Sequence, residues 1–152
     1  MKNAFKKAFL LVYALFSLSF SPPAELGEGI LSVVVNGVEV ASGTVRVVIY
    51  NSNNKFLERD GYVYKQVMEV GNKKSVKVDF KIPNGYYSVS VYHDINDNHS
   101  LDRNGLGVPN EPYAMSNNPT VKWRKPTFDE TKFAFNQSNQ TISLNLKLWK
   151  DR

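Results

Sequence analysis

Between residues 92 and 111 the chain reads Tyr-His-Asp-Ile-Asn-Asp-Asn-His-Ser-Leu-Asp-Arg-Asn-Gly-Leu-Gly-Val-Pro-Asn-Glu. Oxygen-bearing side chains recur at every second position, at Asp94, Asn96, Asn98, Ser100 and Asp102. Calcium takes about six to eight hard oxygens from carboxylates, amides, backbone carbonyls and water, and this spacing lets one curled loop aim them at a point. The string begins like an EF-hand loop, Asp-x-Asn-x-Asn. It then departs, with His99 where that loop needs Gly and Gly105 where it needs a bidentate Glu. A closer analogy is the Asp-x-Asp-x-Asp-Gly-x-x-Asp loop between strands of extracellular β proteins, closed here by Asp102. The expected ligand set around one Ca2+ is Asp94, Asn96, Asn98, Asp102 and a backbone carbonyl near Ser100, with Glu111 as a late ligand.

The same residue types form turns and cap backbone groups with no metal present. Four acids stand against one arginine from Asp94 to Glu111. Such like charges must be solvated, hydrogen-bonded or matched by a cation. A calcium loop and a hydrogen-bonded polar loop both meet that need.

Other constellations carry less. His93, Asp94 and Ser116 could be drawn as base, orienter and nucleophile, yet no Gly-x-Ser-x-Gly elbow accompanies them. His93 reads better as a hydrogen-bonded residue at the edge of a core. Tyr62, Tyr64, Tyr86 and Tyr92 with Trp123 would suit a sugar-stacking platform, although cross-strand aromatic pairing explains them as well. Lys122, Arg124 and Lys125 around Trp123 make a small basic cluster that a solvated loop accounts for.

Composition narrows the classes. The chain has 152 residues and no cysteine, which removes disulfides, thiol nucleophiles and Cys-ligated metals. Two histidines cannot make a three-His centre. The formal charge of +5 falls to +2 once Lys2, Lys6 and Lys7 are set aside, so a nucleic-acid partner is not expected. Those lysines precede a short apolar run, Ala8 to Phe20, and then Ser17-x-Ser19. A basic head, an apolar middle too short for a bilayer and small residues at the end predict a signal peptide, 1–19, cut after Ser19. Export to the periplasm or medium follows, with no membrane span in the mature chain. Residues 20–29 read as a Pro/Gly leader.

The elements that must hold the loop are strands. Two-residue alternation marks Leu31–Val35, Thr44–Ile49, Ser75–Ile82, Tyr87–His93, Phe133–Phe135 and Thr141–Leu148, with a weaker run over Tyr62–Val70. No window after residue 25 carries a helical apolar period. The expectation is all-β: a single antiparallel β-sandwich of about seven strands over 30–149, immunoglobulin-like or transthyretin-like, with a long acidic loop at 94–111. Ile82-Pro-Asn-Gly-Tyr86 is expected to be a tight hairpin with Gly85 at positive φ.

His93-Asp94-x-Asn96-x-Asn98-x-x-Leu101-Asp102-x-Asn104-x-x-Gly107-x-Pro109-x-Glu111, then Ser116-Asn117-Asn118, resembles the bacterial family called domain of unknown function 2141. Gly43-x-Val-x-Val-x-Ile-Tyr50, Pro83-x-Gly85-x-Tyr87-x-Val-x-Val91 and Pro126-x-Phe128 with Phe133 fit the same pattern. The likeness spans roughly residues 30–148. It implies an exported bacterial protein and supplies no catalytic residues. The expected role is a non-catalytic envelope module that binds a protein or glycan, with structural calcium in the loop. The alternative is a metal-dependent enzyme using the acidic loop, which would need a second cluster of acid–base groups.

Overall fold

The computed structural model describes residues 27–121 and 123–151. The expected signal segment, 1–19, and leader residues 20–26 lie outside it. Among the described residues there are eight strands: β1 (Glu28–Asn36), β2 (Thr44–Tyr50), β3 (Tyr64–Glu69), β4 (Ser75–Pro83), β5 (Gly85–Asp94), β6 (Tyr113–Met115), β7 (Phe133–Phe135) and β8 (Asn139–Asn145). One helical turn, α1 (Phe128–Thr131), precedes β7, and a 3-10 turn, Trp149–Asp151, follows β8. Among the described residues no helix is long and apolar enough to cross a membrane.

The strands form two sheets. One runs β4-β1-β8; the other runs β3-β2-β5-β6, with β7 also paired to β5. Leu31, Val33 and Val35 of β1 share one buried cluster with Val45, Val47 and Ile49 of β2, Val89 and Val91 of β5, and Phe80, Leu144 and Leu146. Two-residue alternation is what lets each strand contribute to that layer, because successive side chains point to opposite faces.

Three expectations change. Pairing is not purely antiparallel: β8 runs parallel to β1, from Ile30↔Asn139 to Asn36↔Asn145. The chain enters β8 from β7, which belongs to the other sheet, so β8 is not the return arm of a hairpin and can run alongside β1. The 82–86 segment is no hairpin either, since β4 pairs with β1 and β5 with β2. It is a corner between sheets, fastened by Tyr87 Oη donating to Pro83 O at 3.0 Å. A corner does not reverse the chain, and Gly85 is not among the residues at positive φ. Last, β2, whose alternation in the sequence implies a half-buried strand, is buried at all seven positions. Its outer face, Arg46, Val48 and Tyr50, is covered: Phe56, Leu57, Tyr62 and Phe128 pack on Val48 and Tyr50, and Arg46 bonds Asp94 and Asp97.

Candidate functional site

The outer face of the five-stranded sheet carries the chemistry. β2 and β5 run antiparallel, setting Thr44 opposite Asp94 and Arg46 opposite Tyr92. Asp94 ends β5, and its side chain is wholly enclosed. Gly43, at φ +73°, packs so closely beneath it that a Cβ would lie 2.0 Å from Asp94 O. Only glycine fits that approach.

Arg46 binds the acids of the loop. Its Nε donates to Asp94 Oδ2 at 2.7 Å and its Nη2 to Asp97 Oδ1 at 3.1 Å. The same Nη2 meets His99 Nδ1, which a guanidinium obliges to act as acceptor. Thr44 Oγ1 also donates to Asp97 Oδ1, at 3.0 Å. The loop backbone coils to suit: Asp97 and His99 sit at φ of 56° and 69°, a region Asp and His tolerate better than most residues. That coil brings the N–H groups of Asn98 and His99 onto the Asp94 carboxylate, at 3.0 and 2.8 Å. Asp94, Asp97 and His99 are the group of metal-capable side chains that converges here, within 4.8 Å of one another. The cation that bonds all three is the chain's own Arg46.

The remaining expected ligands form a second knot. Asn96 Nδ2 and Asn98 Nδ2 donate to the two oxygens of Asp102, each at 2.8 Å. Asn96 Oδ1 accepts from Asn98 N, and Asn98 Oδ1 from Ser100 N, so Ser100 takes part through its backbone N–H. Glu111, almost fully buried, accepts from Ile95 N and Asp102 N at 2.8 and 3.0 Å and ties the ends of the loop together. The structure therefore gathers the side chains of Asn96, Asn98 and Asp102, with Ser100 joining through its backbone N–H, while the Asp94 carboxylate is held by Arg46 of β2 and by the Asn98 and His99 N–H groups. Calcium in the expected set would have to displace N–H donors from Asp94 and Asp102 alike.

His93, Asp94 and Ser116 take separate partners. His93 Nε2 bonds Ser42 O at 2.8 Å, within the interior. Ser116 Oγ donates to Thr131 O at 2.6 Å and accepts from Val89 N.

Beside Arg46 opens a cleft of about 650 Å³. Tyr50, Tyr62, Tyr92, Tyr113, Trp123 and Trp149 contribute to its lining. Three members of the expected aromatic platform, Tyr62, Tyr92 and Trp123, thus meet there. Tyr64 instead packs edge-on to Phe80 against the core, and exposed Tyr86 lies outside the cleft under Lys132. Burial pushes the Tyr50 phenol up to about 12, helped by Tyr92 and Tyr62, and burial raises Tyr92 against the opposing pull of Arg46. Both stay neutral O–H groups across the physiological range. At the mouth, Leu106 and Trp123 are 89% and 87% exposed.

Trp123 is set edge-on to Trp149 at 5.6 Å, and its neighbour Arg124 grips Glu130 through two bonds of 2.8 and 2.6 Å. That grip, with the Thr127 N–H, holds the Glu130 carboxyl down at about 2. Thr127 and Glu130 also cap α1 reciprocally. Thr127-x-x-Glu130 is a capping-box spacing visible in the sequence. Arg46 was visible too, as a charge midway along an apolar strand, but its partners lie 48 or more residues away.

No curated protein matches this chain significantly. A model of the family described as uncharacterised protein conserved in bacteria, DUF2141, matches residues 33–143, from within β1 to within β8. The acidic loop and most of both sheets fall inside that match, with Trp149 of the cleft lying beyond it, and the chain belongs to this family.

Proposed function

We propose that the protein is an exported, non-catalytic module that holds a glycan in the cleft on the outer face of the five-stranded sheet. Its two sheets are the layers of a β-sandwich, and the loop 94–111 is a braced wall of the site. The observation that carries this is the cleft lining, where tyrosines and tryptophans meet polar and charged groups in one concavity. Sugar rings offer apolar C–H faces for stacking and hydroxyls for hydrogen bonds, and Tyr and Trp serve both needs. The exposure of Trp123 and Leu106 at the mouth supports a ligand over a sealed interior. A concave site also suits a glycan better than the flat contact of a folded partner.

Export rests on the basic head and short apolar run at the N-terminus. N-terminal sequencing of the protein from envelope or medium should begin at Phe20; an intact Met1 on a cytoplasmic product would sink it. The engagement of Asp94, Asp102 and Glu111 by N–H donors supports a structural role for the loop over acid–base work. Binding is tested by tryptophan fluorescence titrated with a panel of bacterial envelope oligosaccharides. A saturable change that Trp123→Ala abolishes is expected. A flat response to every saccharide would overturn the reading.

A further inference from the structure

The charges around the cleft are unevenly matched. Arg59, Lys65, Arg103 and Lys125 all line it and are all exposed. Among the described residues none of the four has an ion-pair partner, whereas Arg46 and Arg124 are engaged by Asp94, Asp97 and Glu130. Two acids, Glu58 and Asp60, line the same cleft, so cations remain in excess. The four come from separate stretches of chain: the loop before β3, β3 itself, the acidic loop and the segment before α1. They surround the cavity instead of forming one local run. Lys65 Nζ already stands 5.5 Å over the Tyr62 ring, so a cation and a stacking face occur together.

This inference rests on the glycan reading and extends it. We propose that the ligand is an acidic saccharide, its apolar ring faces against the aromatic side chains and its carboxylates among Arg59, Lys65, Arg103 and Lys125. A concave site with an excess of one sign of charge raises the local concentration of the opposite sign. Charge-assisted hydrogen bonds to carboxylate are stronger than neutral ones. Stacking alone would not separate a charged saccharide from a neutral one; the surplus cations would.

The test compares three probes on the purified protein by calorimetry: an oligogalacturonate, the same oligomer fully methyl-esterified, and polyglutamate. The acid should bind about tenfold more tightly than the ester, with the difference shrinking at high salt, and polyglutamate should bind weakly. Arg59→Gln with Lys65→Gln should erase most of that preference by bringing acid binding down toward the level of the ester, with the melting temperature unchanged. Equal affinity for acid and ester would overturn the charge inference while leaving the glycan site standing. Polyglutamate binding as tightly as the oligogalacturonate would reduce the site to a polyanion patch and overturn it as well. Failure of both saccharides, together with the wider panel, would remove the glycan reading itself.

Discussion

Arg46 Nε lies 2.7 Å from Asp94 Oδ2, and the two side chains are 6% and 0% exposed. A buried pair of this kind is costly to break from one side, because the survivor keeps its charge without its partner. Arg46→Met should lower stability by about 3–5 kcal/mol. Adding Asp94→Asn removes the stranded charge and keeps one acceptor oxygen, enough for one of the Asn98 and His99 N–H groups, and should recover part of that loss. Urea unfolding of the single and double variants checks this. A double variant worse than Arg46→Met by the full cost of Asp94→Asn alone would show that the two side chains are not one unit.

Calcium provides the sharpest test of the loop. With Arg46 bonded to Asp94 and Asp97, and amide N–H groups on Asp102, melts in excess EDTA and in several millimolar calcium should superimpose. Binding at ten times Kd would instead add roughly 1.4 kcal/mol, a Tm rise of about 3–6 °C. Such a rise, lost in Asp102→Ala, would mean that the oxygens reorganise around an ion.

In the core, Leu144→Ala should cost about 2–5 kcal/mol as a cavity mutation. Lys147→Ala, at an exposed position joined to Tyr113 through backbone atoms, should cost under about 0.5 kcal/mol. Equal costs would mean that β8 is one residue out of register.

Acid should act on the Trp123 wall through Glu130. Its carboxyl falls from the ordinary 4.5 to about 2 in the folded protein, chiefly through Arg124. A depressed carboxyl contributes stability fully above its unfolded value and loses it as pH falls through the folded one. The Tm difference between wild type and Glu130→Gln should therefore be constant above about pH 5 and close toward pH 2. A difference unchanged down to pH 2 would show that the Arg124–Glu130 pair contributes nothing, as many exposed pairs do.

Strands β1, β2, β4 and β5 are legible in the sequence because sustained two-residue alternation has few other meanings. Three-residue β6 is not, since nothing but its pairing with Ser90–Tyr92 makes it a strand. Helix α1 is one turn long, too short for an apolar period, and its capping box was the sign to read. Asn96, Asn98 and Asp102, two to six residues apart, meet through side-chain hydrogen bonds within the loop. Their spacing could not orient Asp94, because that direction is set by Arg46, far back in the chain. Tyr62, Tyr92 and Trp123 likewise become one site only through the crossing of loops over β2. Local chemistry was readable; partners across long loops were not.

The parallel seam between β1 and β8 has a temporal meaning. Strand β1, made early, is completed by β8, made late, across more than a hundred residues. Contacts so distant in sequence close late, because the loop between them must be ordered before they form. Until residues 139–145 are free of the ribosome, β1 keeps one edge open, and the β4-β1-β8 sheet stands as a two-stranded ribbon of marginal stability. Strand β8 thus works as a latch: a chain stopped short of it has every residue of the acidic loop, yet lacks both Trp149 of the cleft and the strand that closes the sheet behind them.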